Sequence, residues 1–138
     1  MSKFIVIGER IHCISPVIRA AMENMYPEPI LKRAKEQLDA GALYLDLNIG
    51  PAEKNGPELM KWAVKLLQEN FDNVALCLDT ANKKAIEAGI SVYNPVKGKP
   101  IVNSRASVTT SGVITSIFTL PNGTHVPSLL FIVNTALS

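Results

Sequence analysis

The sequence is poor in several features that mark common classes of protein. Its two cysteines, Cys13 and Cys77, lie far apart and form no CxxC pair, so we expect reduced thiols in a cytoplasmic protein. The longest apolar runs, such as residues 129–133, are too short to span a bilayer, and no signal peptide follows Lys3. The formal charge is +2, with no cluster of Lys or Arg. We therefore expect neither a membrane nor a nucleic acid as a partner.

Motifs of the common catalytic and metal sites are also missing. The stretch NIGPAEKNG, residues 48–56, has neither the GxGxxG nor the Walker spacing of a phosphate-binding loop. The chain has only two histidines, from which no Ser/His/Asp triad can be recovered. His12 and Cys13 are merely adjacent, and no His/Cys/Asp cluster has the spacing of metal ligands, so we expect no metal site. Carboxylates and amides remain as the candidate functional groups.

The apolar residues are arranged in a repeating order over residues 1–104. Four short, continuous apolar runs cover residues 3–8, 42–47, 74–79 and 100–103. Continuous rather than alternating hydrophobicity is typical of parallel strands that are covered on both faces. An amphipathic helical stretch follows each of the first three runs, which gives the order β-α-β-α-β-α-β. This order predicts an α/β fold, either an open doubly wound sheet or part of a (β/α)8 barrel.

Three helices are predicted between the strands. The first covers residues 27–41 and the second residues 56–70, each with a proline near its start. The predicted core stripe of the second helix is Leu59, Met60, Ala63, Val64 and Leu67. The third helix, residues 80–89, has Thr80 as a possible N-cap and Gly89 as its C-terminal stop.

Polar side chains fall at the C-terminal end of every predicted strand. They are Glu9 after the first strand, Asp46 and Asn48 at the second, Asp79 at the third and Asn103 at the fourth. The C-terminal ends of parallel strands share one rim, where ligands bind in α/β proteins. Alternatively, these residues cap the helices that follow. As a ligand site, this set of acceptors and amides suits a neutral, hydrogen-bonding ring such as a pterin better than a phosphate or a metal.

Four stretches of the chain resemble one known family. They are IGERIHCISPVIRAAM, GALYLDLNIGPAEKNGPELMKWAVKLLQE, LCLDTANKKAIEAG and PIVNS, and together they cover residues 1–104 nearly continuously. They resemble the methyltetrahydrofolate:corrinoid methyltransferases, which are pterin-binding (β/α)8 TIM barrels related to dihydropteroate synthase. The resemblance implies the N-terminal half of such a barrel, about four βα units. It also implies methyl transfer, in either direction, between N5 of 5-methyltetrahydrofolate and the cobalt of a corrinoid carried by a partner protein. Full-length relatives are expected to be homodimers.

The resemblance also implies roles for particular residues. The aspartate of the LCLD motif, which binds the pterin ring, falls on Asp79, and the asparagine of the fourth-strand motif falls on Asn103, as a catalytic and pterin-binding group. The DLN motif places Asp46 and Asn48 beside the pterin pocket, and the GER motif places Glu9 on its floor. In the family a further Asp and Asn from later strands complete the pocket, and no position here matches them. Many relatives have Asn where this chain has His12, which leaves the role of that position open.

The tail, residues 105–138, differs from the rest of the chain. It has no Asp, Glu or Lys, is rich in Ser and Thr, and places short apolar runs around a turn-like PNG. Three explanations are open: out-of-frame translation after a frameshift, an appended β-hairpin, or a divergent continuation of the barrel. A truncated barrel would expose a strand edge, so we expect self-association and no activity of the chain alone. A non-catalytic folate-binding module and a dihydropteroate synthase-like enzyme are the alternative functions.

Overall fold

A computed structural model describes residues 5–72 and 74–103 and two short strands in the tail. The strands are β1 (Ile7–His12), β2 (Tyr44–Asn48), β3 (Ala75–Asp79), β4 (Ile101–Asn103), β5 (Phe118–Thr119) and β6 (His125–Val126). The helices are α1 (Pro16–Glu23), α2 (Pro27–Asp39), α3 (Gly56–Asn70) and α4 (Lys83–Val92), and a 3-10 turn covers Pro95–Lys97. Within these ranges no helix is both long enough and apolar enough to cross a lipid bilayer.

Strands β1 to β4 form one parallel sheet in the order in which they occur in the chain. The predicted α/β class and the positions of the second, third and fourth strands are therefore confirmed. The predicted bounds of the first strand, residues 3–8, are wrong, because β1 continues through Glu9 and Arg10 to His12 across an irregularity in its pairing with β2. Glu9 thus lies within β1 and not after it. Strands β5 and β6 form a separate antiparallel pair, with Phe118 opposite Val126. The two strands lie on either side of the PNG sequence, residues 121–123, but most of the tail lies outside the described residues. The origin of the tail stays a prediction.

Alternate strand residues point to opposite faces of the sheet, and the helices pack on one of these faces. On the helix-covered face, Ile11 and the leucines of β2 and β3 join a single buried cluster with apolar side chains from all four helices. On the other face Ile7, Tyr44 and Ala75 form a smaller cluster that contains no helix residue. Among the described residues there is neither a second helix layer nor a reversal of strand order, the two marks of a doubly wound sheet. The architecture is consistent with part of a barrel.

Helices α2 and α3 lie where the sequence predicts them, and all five residues of the predicted α3 core stripe are buried. Helix α1 was not predicted as a separate element. Its start carries a detectable signal, because Ser15 is followed by Pro16 in the first helical turn. The core-facing side of α2 also buries a polar residue, Gln37, with only 2% of its surface exposed. That position was not singled out from the sequence.

The predicted ends of the third helix are wrong. Helix α4 begins at Lys83, and its N-cap is Asn82, whose side chain accepts a hydrogen bond from the Ala85 N–H at 3.2 Å. Thr80 instead donates its hydroxyl to the backbone oxygen of Gly50. Gly89 lies inside the helix rather than at its end, because its missing side chain lets α4 approach its neighbours. A Cβ at Gly89 would lie 2.6 Å from Cγ of Met60.

A second buried glutamine holds the N-terminal end of the sheet. The Gln68 side chain on α3 donates to the Asn94 carbonyl at 3.1 Å and accepts from the Asn94 N–H at 2.8 Å. The Tyr93 hydroxyl accepts from the Leu76 N–H at 3.2 Å and donates to the Gly98 carbonyl at 2.8 Å. These bonds fix the segment that leads into β4, and they lie at the end of the sheet opposite the predicted site.

Candidate functional site

Three neighbouring strands end in a linked row of amide and carboxylate side chains. Asn48, Asp79 and Asn103 are direct partners in the parallel register of β2, β3 and β4, so their side chains share one level on the helix-free face. Oδ2 of Asp79 accepts hydrogen bonds from Nδ2 of Asn48 at 3.1 Å and from Nδ2 of Asn103 at 3.5 Å. His12 is the register partner of Asn48 on β1. These four residues form what we call the rim row.

The loop after β2 fixes the orientation of the Asn48 amide. Oδ1 of Asn48 accepts the Gly50 N–H at 2.9 Å, and the Cys13 thiol lies 3.8 Å from the same oxygen. Because Oδ1 faces these donors, Nδ2 is directed at Asp79. Gly50 is required at this turn, since its φ is +69° and a Cβ there would lie 2.6 Å from Sγ of Cys13.

One level deeper on the same face, a carboxylate and a thiol lie side by side. Asp46 is 6% exposed and is the register partner of Cys77. Burial and the nearby Asp79 charge raise the pKa of Asp46 to about 7, while a hydrogen bond from the Cys77 thiol opposes the rise. Burial, followed by the Asp46 charge, raises the pKa of Cys77. Oδ1 of Asp46 is buried and has no hydrogen-bond partner among the described residues.

Glu9 lies close to this cluster from the neighbouring strand. Its pKa is raised, first by partial burial and then by the Asp79 charge, and the nearby His12 acts in the opposite direction. Glu9 also contributes to the raised pKa of Asp46. The site therefore concentrates negative charge in a partly dehydrated setting, where a ligand that donates hydrogen bonds would be favoured.

The structure brings together all five residues that the sequence analysis selected. Asp46, Asn48, Asp79 and Asn103 lie on one face of adjacent strands, and Glu9 is within electrostatic range of Asp46 and Asp79. Helix capping, the alternative interpretation, does not describe Glu9, Asp46, Asn48 or Asp79. The N-caps of the four α-helices that the structure describes are other residues, with Asn82 as the cap after β3, and the segment after Asn103 lies outside the described residues.

Two further polar residues, Cys77 in the site and Gln37 behind it on the helix-covered face, were not selected from the sequence. Cys77 bonds to Asp46, and its position two residues before Asp79 on the same strand was the available signal. Gln37 contacts β1 from α2, and no local pattern could have indicated a contact across 27 residues of chain. Within the described ranges, no group of three or more His, Cys, Asp or Glu residues is arranged to hold a metal ion.

The fold and the rim row define an α/β protein with a polar, hydrogen-bonding site at the C-terminal ends of its parallel strands. No protein-family model matches the chain. It is similar to the methylcorrinoid:tetrahydrofolate methyltransferase of Eubacterium limosum, with 33% identity over 100 residues, which are 72% of this chain and 35% of the relative. The chain thus spans about a third of the length of that relative. This similarity supports the family resemblance drawn from the four sequence stretches.

Proposed function

We propose that this chain is the pterin-binding part of a methyltransferase that acts between a corrinoid and tetrahydrofolate. The observation that carries the proposal is the rim row, in which a carboxylate is held between two amides on three adjacent strands. The 2-amino group and ring N–H of a pterin can donate two parallel hydrogen bonds to a carboxylate, and an amide can pair with donor and acceptor atoms together. The name of the Eubacterium limosum relative, which includes tetrahydrofolate, supports this choice of ligand.

In this proposal the residues of the cluster have different roles. Asp79 binds the amino-substituted edge of the pterin, and Asn48 holds the carboxylate in orientation. Asn103, at the outer end of the row, bonds the ring edge near the reacting nitrogen and is the catalytic residue of the described part of the chain. Asp46 lies below the ring and Glu9 lies beside it, and both carboxyl groups can supply negative charge to the site.

The proposed reaction moves one methyl group between cobalt and N5 of the folate. When N5 of tetrahydrofolate attacks the methyl group of a methylcorrinoid, the cobalt–carbon electron pair stays on cobalt as Co(I), and N5 loses its proton. In the reverse direction N5 must gain proton or hydrogen-bond character before Co(I) takes its methyl group. The protein's part is to orient the ring and to stabilise the charge that develops on N5. A separate corrinoid protein is the proposed partner, and a (β/α)8 barrel is the proposed fold of the complete enzyme.

Titration of the purified 138-residue chain with tetrahydrofolate and with 5-methyltetrahydrofolate tests the ligand. We expect saturable binding by calorimetry. Asp79→Asn removes the carboxylate and should weaken binding at least about tenfold, since hydrogen bonds to charged groups contribute about 1.5–3 kcal/mol. Asp39→Asn is the matched control, because Asp39 lies on the exposed surface of α2 and pairs with Lys35. Absence of saturable binding to the wild-type chain would contradict the proposal.

A second experiment separates an enzyme from a module that only binds folate. Free Co(I) cobalamin is mixed with 5-methyltetrahydrofolate and the chain, and the loss of the Co(I) absorption is followed. Methyl transfer that depends on the chain identifies an enzyme. Folate binding without transfer identifies the binding module, and it would place the remaining catalytic groups outside this chain.

A further inference from the structure

Strand β1 contains a bulge that decides which of its side chains face the site. Gly8 pairs with Leu45, but the next pairing in the ladder joins Ile11 to Leu47, so three residue steps on β1 match two on β2. One extra residue reverses the alternation of side chains beyond it. Ile11 therefore packs in the helix-covered core, and His12 takes the level of Asn48 in the rim row. Without the bulge, His12 would point toward the helices.

The bulge is held by Gln37 of α2. Oε1 of Gln37 accepts the Arg10 N–H at 2.8 Å, inside the bulged segment, and Nε2 of Gln37 donates to the Arg33 carbonyl at 3.0 Å. Gly8 makes room for this side chain, since a Cβ there would lie 2.5 Å from Oε1 of Gln37. The Arg10 guanidinium adds an ion pair with Glu36 at 3.1 Å. A buried side chain that is hydrogen-bonded at both its oxygen and its nitrogen thus fixes the position of the bulge.

The bulge directs His12 toward the site, and one polar atom of this side chain has no hydrogen-bond partner among the described residues. Nδ1 of His12 is buried and has no hydrogen-bond partner among the described residues. Only one other buried side-chain atom in the described ranges has this property, Oδ1 of Asp46, and it lies in the same cluster. An unpaired buried polar group destabilises a protein by about 1–3 kcal/mol, so such groups are tolerated where a ligand supplies the partner.

We propose that His12 is a ligand-binding residue, which hydrogen-bonds the bound folate through Nδ1 and is placed for this by the bulge that Gln37 holds. This inference rests on the proposed function, because it takes tetrahydrofolate as the ligand of the rim row. It adds a contact from β1 to the contacts from β2, β3 and β4. His12 thus contacts the ring from β1, the strand that also carries Glu9. Asn103 contacts it from β4, at the other end of the sheet.

Three substitutions of His12 test which atom matters. An Asn amide reaches the same distance from the backbone as Nδ1, whereas a Gln amide reaches the distance of Nε2. His12→Asn should therefore keep tetrahydrofolate affinity within about twofold, whereas His12→Gln and His12→Ala should weaken it about three- to tenfold, the effect of one lost hydrogen bond. Equal affinity of wild type, His12→Gln and His12→Ala would overturn the inference.

Imidazole NMR tests the contact without mutation of the binding site. The chain has two histidines, His12 and His125, so comparison with His12→Asn assigns the side-chain nitrogen signals. Addition of tetrahydrofolate should shift the Nδ1 signal of His12 more than its Nε2 signal. Suppose that the wild-type chain binds tetrahydrofolate, that Asp79→Asn weakens this binding, and that the ligand leaves the His12 signals unchanged. Then His12 is not a ligand contact, and the proposed function still holds. If the wild-type chain binds no folate, both proposals fail together.

The role of the bulge is tested with two matched variants of buried glutamines. Gln37→Met removes the acceptor of the Arg10 N–H, and Gln68→Met removes the comparable bonds to Asn94 at the other end of the sheet. Both should lower thermal stability, but only Gln37→Met should also weaken tetrahydrofolate binding, by a factor similar to that of His12→Ala. Equal affinities of the two variants at a temperature where both are folded would show that Gln37 does not position the ligand contact.

Discussion

Asn48 donates its side-chain amide to the carboxylate of Asp79 across two adjacent parallel strands, with Nδ2 and Oδ2 3.1 Å apart. The contact links the end of β2 to the end of β3, and the Gly50 N–H on the other side of the amide prevents it from turning over. The Asp79 carboxylate is therefore already oriented before any ligand binds. Such preorganisation lowers the free energy needed to order the site when a ligand binds.

Asn48→Asp should destabilise the chain more at pH 8 than at pH 5. The substitution replaces the amide donor with a second carboxylate beside Asp79, and the two negative charges repel when both are ionised. We expect a loss of about 1–3 kcal/mol in the free energy of unfolding at pH 8, measured by urea denaturation. Asn55→Asp, at an exposed position before α3, is the control and should stay within about 0.5 kcal/mol of wild type. Equal losses at the two pH values would contradict the predicted repulsion.

Asp46 should make the stability of the chain depend on pH. Its pKa rises from an ordinary value of 3.8 to about 7 in the folded chain, so the folded state holds the proton more tightly than the unfolded state. This contribution to stability is complete below pH 3.8 and is lost as the pH rises through 7, at up to about 1.4 kcal/mol per pH unit. Asp46→Asn should flatten the dependence of the free energy of unfolding on pH between 4 and 7. The exposed Asp39→Asn should leave the wild-type slope in place, and an unchanged slope in Asp46→Asn would refute the assignment.

Gly89→Ala should destabilise the packing of α4. Alanine is the better helix former by about 1 kcal/mol, but its Cβ would approach Met60 at 2.6 Å and Leu78 at 3.0 Å. Overpacking of this kind costs about 1–3 kcal/mol, so we expect a net loss of stability in thermal melts. Ser91→Ala, on the exposed side of the same helix, is the control. It removes only the hydroxyl's solvent-exposed hydrogen bond to the Ala88 carbonyl, and it should not lower the melting temperature by more than a degree or two. A melting temperature of Gly89→Ala above wild type would show that α4 can move away without cost.

Gln37→Met should lower the free energy of unfolding by about 1–3 kcal/mol, because the Arg10 N–H is left without its acceptor. Hydrogen exchange of the Arg10 amide gives a local measurement, and its protection should fall more than that of the Leu45 amide in the next strand. If the protection of both amides falls equally, the substitution destabilises the whole chain rather than the bulge.

The sequence predicts the parts of this fold that depend on local pattern. The continuous apolar runs locate β2, β3 and β4 but reach only the start of β1, and the 3.6-residue spacing of Leu59, Ala63 and Leu67 locates the buried side of α3. Polar residues at strand ends identify the rim, since the direction of parallel strands places those ends together. These inferences succeed because each depends on neighbours within a few residues of the chain.

The rest depends on contacts between distant residues. Gly89 resembles a helix stop in sequence but serves a close approach between α4 and Met60, which depends on where α3 lies. The bulge at Glu9 and Arg10 adds one residue without any turn-forming signal, and its partner Gln37 lies 27 residues away from Arg10. The direction of His12 follows from that bulge, so its place in the rim row could not be derived from alternation along β1.

The helix-free face of the sheet changes in character along the strands. Its first level is apolar, with Ile7, Tyr44 and Ala75, the next combines Asp46 with Cys77, and the last is the rim row. The buried first level supports the fold, and in the proposed function the outer level contacts the ligand. Substitutions at the outer level would then alter recognition while the apolar first level stays unchanged. The same scaffold could therefore acquire new ligands through changes at a few strand-end positions, and the intermediate level would limit how deep any of those ligands can reach.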